Sequence, residues 1–233
     1  MGRGGDRLHP HATHIMQKYI GKLKQKFPNE LIGVYVHGSL ALDEYRPGVS
    51  DIDFVTVISE PFTCEQIDQL GFLHHPEIEG VYVLADDVGK TSSSVVYVNG
   101  EEIAMIRGVP PVTWWLLEKK GIRLYGPSYD VFQSKTTDEQ LVHYVKENMN
   151  TYWRHHPAPV TEEDVYWCLS GVLRQWYTLE HRDIISKRAA LVFGYDKLPG
   201  QWHDLLGVEP TSKPINDKEH AHRCMLHIID QAL

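Results

Sequence analysis

The chain has 233 residues, 42% of them hydrophobic, with 23 Lys and Arg against 31 Asp and Glu and a formal net charge of −8. That apolar content builds a packed core and excludes a disordered tail protein, while the acidic surplus argues against nucleic-acid phosphates and favours a small cationic partner. No apolar run approaches the roughly 20 residues of a bilayer span, residues 1–7 lead into no signal-peptide core, and Cys64, Cys168 and Cys224 fall in no disulfide or zinc spacing, so a soluble cytoplasmic protein is expected.

Residues 13–27 place Ile15, Met16, Tyr19, Ile20, Leu23 and Phe27 at helical spacing, with lysines at 18, 22, 24 and 26 opposite, and Pro28 ends the pattern. Two short runs of β-formers follow, 31–37 and 52–58, joined by a segment holding Gly38, Asp43, Pro47 and Gly48; they read as neighbouring strands. Residues 79–84 and 94–98 read as two more, and Asn99-Gly100 is a turn signal. The first hundred residues therefore read as a small mixed sheet with a helix or two.

The second half changes character. A short helix over 114–119 runs into Gly121 and the turn Tyr125-Gly126-Pro127, after which no strand-length β run occurs. Thr137 with Gln140 and Thr161 with Asp164 have capping-box spacing, each ahead of an apolar-periodic run. Ser186, Asn216 and prolines at 199, 210 and 214 punctuate three further helices. The shift falls between about 126 and 136, so the reading is α+β: a mixed β-sheet domain over 1–130 and an all-helical bundle over 131–233.

The chemistry concentrates in Val36-His37-Gly38-Ser39 and, eleven residues on, Asp51-Ile52-Asp53-Phe54. A glycine directly after a strand lets backbone approach a ligand, and a hydroxyl at a following helix start can hold phosphate oxygens. Asp51 and Asp53, two apart on a strand, emerge on one face, where paired carboxylates beside phosphates suit Mg²⁺. His37 either lines such a pocket or is simply a turn histidine. The fourteen histidines offer no convincing tetrahedral set: His74-His75 and His155-His156 are adjacent pairs, and His220 and His222 do not share a helix face.

This order and spacing resembles the signature of the nucleotidyltransferase superfamily related to DNA polymerase β. The helical half narrows the resemblance: Val172 through Leu179 including Arg174, then Ile185-Ser186-Lys187-Arg188-Ala189-Ala190 and Leu198-Pro199, is similar to the aminoglycoside (3'')(9) adenylyltransferases, which modify streptomycin and spectinomycin. The resemblance covers about residues 31–207. It implies transfer of AMP from ATP to a hydroxyl of a small cationic aminoglycoside or aminocyclitol, with Mg²⁺ as cofactor and release of pyrophosphate.

Position by position, the resemblance makes Asp51 and Asp53 the catalytic metal ligands, and Gly38, Ser39, Arg174 and Lys187 the groups that hold the nucleotide. A third carboxylate comes from Glu77, Glu79, Asp86 or Asp87; Glu79, opening its strand at the sheet end of Asp51 and Asp53, is the expected general base. Asp164, Trp153 and Glu101 are matched to the drug, Asp164 being equally readable as the capping residue of Thr161. Where the family has Gly-Glu-Trp, this chain has Gly100-Glu101-Glu102. Alternatives are a nucleotidyltransferase acting on a protein or metabolite, and a non-catalytic nucleotide-binding regulatory module. A monomer or weak dimer without nucleic-acid or membrane partners is expected.

Overall fold

The computed structural model describes residues 8–71, 74–208 and 210–233; the opening run 1–7, read above for a leader, lies outside the described residues. The chain divides into two compact units, Met1–Thr136 and Thr137–Leu233.

In the first unit, α1 (Pro10–Lys26) starts three residues before the apolar pattern does. Pro10 occupies the first turn, where its missing N–H costs no intrahelical bond, and the His9 side chain accepts from His11 N. Strand β1 (Leu31–Val36) leads through His37 into a single helical turn, α2 (Gly38–Ala41), and then β2 (Ile52–Ile58). Helix α3 (Cys64–Leu70), capped by a Thr63–Gln66 capping box, lies in the crossover to β3 (Ile78–Leu84). Strand β4 (Ser94–Asn99) turns at Gly100 into β5 (Glu102–Arg107), followed by α4 (Pro111–Lys120) and β6 (Ile122–Tyr125).

Neither β5 nor β6 is expected from the sequence. The first is an edge strand whose residues are all exposed or half-buried, so it carries no apolar alternation; the second spans four residues, too few to show a period, and forms by pairing with β1. The six strands run β5-β4-β3-β2-β1-β6. Strands β2 and β3 are parallel and every other neighbouring pair is antiparallel.

Alternation along the strands makes two apolar faces. On one, Val34, Val36, Ile52, Phe54, Ile78, Tyr82, Val96 and Val98 meet Ile15, Met16, Tyr19 and Leu23 of α1 and Leu70 of α3. On the other, Tyr35, Val55, Val57, Val81, Val83 and Val95 meet Trp114 and Leu117 of α4. The fully buried Thr56 survives on the α1 face because its hydroxyl is 2.7 Å from Tyr19 Oη.

The second unit is helical: α5 (Asp138–Thr151), α6 (Glu162–His181), α7 (Lys187–Lys197), α8 (His203–Leu206) and α9 (Lys218–Ala232). Helix α6 touches each of the others and contributes Val165, Leu169, Val172 and Leu173, all fully buried. Both expected capping boxes, at Thr137–Gln140 and Thr161–Asp164, are formed. The cap of α9 is Asp217 rather than Asn216; its carboxylate accepts from His220 N at 2.8 Å. Among the described residues no helix is long and apolar enough to cross a membrane.

Gly80 is the tightest point of the parallel ladder. It pairs with Phe54, and a Cβ there would collide with the Phe54 backbone carbonyl, which cannot swing aside as a side chain could. Gly80→Ala should therefore cost about 2–3 kcal/mol and lower the melting temperature by roughly 4–10 °C. Gly200→Ala, where nothing lies within 4 Å of the added carbon, should melt within about 2 °C of wild type. Differential scanning calorimetry compares the three.

Candidate active site

The site is built at one end of the sheet, on the face that carries α4. In the parallel ladder Asp53 is the direct partner of Glu79, and across the antiparallel ladders Glu79 faces Asn99 and Asn99 faces Glu102. Direct partners point to the same side of a sheet at about 5 Å spacing, so these four side chains form one polar row beside the apolar row of Val55 and Val81. Asp51 lies two residues before Asp53, just ahead of β2, and is exposed.

Gly38 brings the chain against this row. It adopts φ +57°, a left-handed conformation, and a Cβ in its place would collide with Asp53 Oδ2. Both the turn and the approach require glycine. His37 N donates to Asp53 O at 3.0 Å, locking the loop to β2. Ser39 follows on the single turn α2, whose first N–H groups have no acceptor within the helix. Ser39 Oγ is buried and has no hydrogen-bond partner among the described residues. Such a buried hydroxyl has hydrogen-bonding capacity to spare for a water or ligand oxygen.

The electrostatics follow from crowding. Burial raises the Glu79 carboxyl; a hydrogen bond from Tyr97 opposes that, and Asp53 and Asp51 push it up again, so the group ends above the ordinary glutamate range. Burial takes His37 down to about 4 against the pull of Glu79, leaving the ring neutral near pH 7. Tyr97 Oη donates to Glu79 Oε1 at 2.6 Å. Tyr97 and Asn99 escape sequence reasoning because only the strand pairing reveals that β4 lies beside Glu79.

The other acids weighed for the third position are engaged elsewhere. Glu77 accepts from His11 Nε2 at 2.9 and 3.1 Å and from Tyr45 Oη at 3.4 Å, which ties it to α1. Asp87 pairs with Lys90 at 2.9 Å, and Asp86 belongs to the same short 3₁₀ turn at the far end of β3. The structure thus singles out Glu79 as the acid beside Asp53. Glu101 is exposed on the β4–β5 turn, at the same end of the sheet as Glu79.

A Mg²⁺ ion prefers oxygen donors and usually takes one or two carboxylates, the rest of its shell coming from water and substrate phosphates. Asp51 and Asp53 supply hard oxygen ligands, and the buried Ser39 hydroxyl, without a partner among the described residues, is free to meet a phosphate oxygen, so the residues fit that ion. Among the described residues no three His, Cys, Asp or Glu converge on one metal position; an ion here would depend on substrate oxygens to complete its shell.

In the helical unit, Arg174 Nε donates to Ile185 O at 2.8 Å, two residues before Lys187, the first residue of α7. The two cations thus belong to one local structure: α6 reaches the loop that opens α7. Lys187 is exposed at a helix start with no acid in its first turn, against the preference of the helix dipole. Trp153 is 6% exposed; it packs against Trp167, tilted by 46° at 4.7 Å between ring centres, and presses against Gly171, so the core holds it. The open rings of that group are Trp167 and Tyr152.

Asp164 is committed to its helix. Its Oδ2 accepts from Val160 N and Thr161 N, both at 3.0 Å, while its own N–H donates to Thr161 Oγ1. Glu162 N and Glu163 N are satisfied by the carbonyls of Lys213 and Thr211, which closes this helix end.

Residues 16–98 match the family described as Nucleotidyltransferase domain. The fold is similar to that of the spectinomycin adenyltransferase AAD(9) from Enterococcus faecialis, solved with ATP and spectinomycin. The TM-score is 0.73 at 14% sequence identity, covering 94% of this chain and 98% of that one. No curated protein sequence matches the chain. Residues 16–98 thus carry a nucleotidyltransferase domain, which makes the chain an enzyme, and its fold is α+β.

The backbone hydrogen bonds hold the Asp164 carboxyl below its ordinary range despite partial burial. A depressed folded-state pKa stabilises the fold above the usual aspartate range, and that contribution is lost as pH falls through the lowered value. Asp164→Asn should melt below wild type at pH 7, with Asp164→Ala about 1 kcal/mol less stable, and the gap between the Asn variant and wild type should close as pH falls through the lowered value. Thermal melts across pH test this.

Proposed function

We propose that the chain transfers AMP from MgATP to a hydroxyl of a cationic aminoglycoside or aminocyclitol such as spectinomycin or streptomycin, releasing pyrophosphate. The observation that carries this reading is the pairing of Asp53 with Glu79 in the parallel ladder, next to Gly38 and the unpartnered Ser39 hydroxyl. The likeness to an adenyltransferase solved with ATP and spectinomycin supports the choice of nucleotide and acceptor.

In the proposed reaction Glu79 takes the proton of the acceptor hydroxyl, whose oxygen attacks the α-phosphorus of ATP. The bond from that phosphorus to the bridging oxygen breaks, and pyrophosphate leaves. Asp51 and Asp53 would hold Mg²⁺, which when bound offsets phosphate charge and polarises the α-phosphoryl group. Ser39 and the backbone after Gly38 would hold the terminal phosphates. Arg174 and Lys187 are assigned to triphosphate charge, supported by the hydrogen bond that ties Arg174 of α6 to the loop opening α7. Glu101 is assigned to the ammonium groups of the acceptor, whereas the helix cap holds Asp164 and the core holds Trp153. The enzyme is placed in the cytoplasm as a monomer or weak dimer, consistent with three free cysteines.

The test is pyrophosphate release from MgATP with spectinomycin, streptomycin, kanamycin and a lincosamide. Release above the ATP-only background with at least one aminocyclitol or aminoglycoside is expected. Release with none of them, alongside turnover on a protein or metabolite acceptor, would move the activity to that substrate class. Glu79→Gln should bind MgATP normally and lose turnover about 100-fold or more, whereas Asp51→Asn should weaken Mg-dependent ATP binding as well.

A further inference from the structure

A base that must give one carboxylate oxygen to an incoming hydroxyl needs its other oxygen held. Glu79 sits in a poor position to hold itself: it has three side-chain torsions, lies near the start of its strand, and has like-charged Asp53 as its immediate partner. One donor corrects this. Tyr97 Oη reaches Glu79 Oε1 at 2.6 Å, the length of a hydrogen bond to an ionised carboxylate.

The strand pairing explains why a tyrosine is there. Glu79 faces Asn99 across the antiparallel ladder and Val81 faces Tyr97, so Tyr97 is the diagonal neighbour of Glu79 on the same face, within reach of a long aromatic side chain. Its half-buried ring packs against the apolar cluster of that face, where phenylalanine would serve equally well; only the hydroxyl is unexplained by packing. Asn99, the direct cross-strand partner of Glu79, lies two residues along β4 from Tyr97 and on the same face. Burial and the nearby Glu79 charge raise the Tyr97 phenol far above its ordinary range, which keeps its proton in place as a donor.

The geometry points to Tyr97 as a positioning residue for nucleotidyl transfer, anchoring Oε1 of Glu79 so that the other carboxylate oxygen faces the acceptor hydroxyl. This inference rests on Glu79 being the base. It assigns a role to the β4 strand, which the metal and phosphate contacts do not use.

Tyr97→Phe removes the hydroxyl and keeps the ring. Its kcat for pyrophosphate release should fall roughly 10- to 100-fold, with KM for ATP and acceptor within about twofold of wild type. In a Glu79→Gln background the same substitution should cause no further loss, because there is no base left to position. Tyr35→Phe is the comparator: it deletes another buried hydroxyl of this sheet, bonded to Pro127 O at 2.8 Å, and should lower the melting temperature while leaving kcat unchanged. A Tyr97→Phe kcat within about twofold of wild type, a loss confined to KM, or losses that multiply with Glu79→Gln would each overturn the proposal. If wild-type protein releases no pyrophosphate with any acceptor, the transfer reading fails separately. The pair is then judged by thermal melts of Tyr97→Phe, Glu79→Ala and the double variant, where additive shifts overturn it and non-additive shifts support it.

Discussion

The parallel pairing of β2 with β3 is the constraint on which the rest of the sheet domain depends. Antiparallel partners can be joined by a tight turn, but a parallel pair requires a crossover, and α3 with its capping box supplies it. The pairing sets Asp53 directly beside Glu79. Shifting the register by one residue would send Glu79 into the face filled by Phe54, Ile78 and α1, where an unpaired carboxylate could not be buried. The apolar rows on both faces thus enforce the position of the acids.

Bringing like charges together has a cost, and the structure shows where it appears. Glu79 is pushed toward its protonated form by burial and by two aspartates, His37 is held neutral beside it, and Ser39 keeps a buried hydroxyl with no partner. Each of these would be a defect in a domain selected only for stability. Under the proposed reading they belong to a place for a nucleotide triphosphate and its cation, and the cation would offset the repulsion among the carboxylates. Gly38 lets the loop backbone lie directly against Asp53, since no side chain fits there.

The helical domain works by different physics. Its organisation is local: capping boxes at Thr137 and Thr161, a serine cap at Ser186 and an aspartate cap at Asp217 start its four longer helices, and α6 provides the buried stripe they share. Asp164 shows how a residue that resembles a ligand contact can be held by its own helix, with two backbone N–H groups on a single oxygen. Trp153 shows the same for packing, because Gly171 leaves the space its ring fills.

The sequence by itself determined what depends on near neighbours. Periodicity located α1 and the first four strands, capping signals located α5, α6 and α7, and the spacing of Gly38-Ser39 and Asp51-x-Asp53 marked the candidate site, because each is a pattern within a few residues of chain. Strands β5 and β6 were not legible: they lie at the sheet's edges, one half-exposed and one four residues long, and exist through pairing rather than propensity. Glu79 could be favoured among four acids from its place in an apolar run, but what distinguishes it from Glu77 is tertiary, since His11 and Tyr45 claim Glu77 from elements distant in sequence. Tyr97 lay wholly beyond the sequence, for eighteen residues separate it from Glu79 and only the antiparallel turn-back of β4 brings its hydroxyl to that carboxylate.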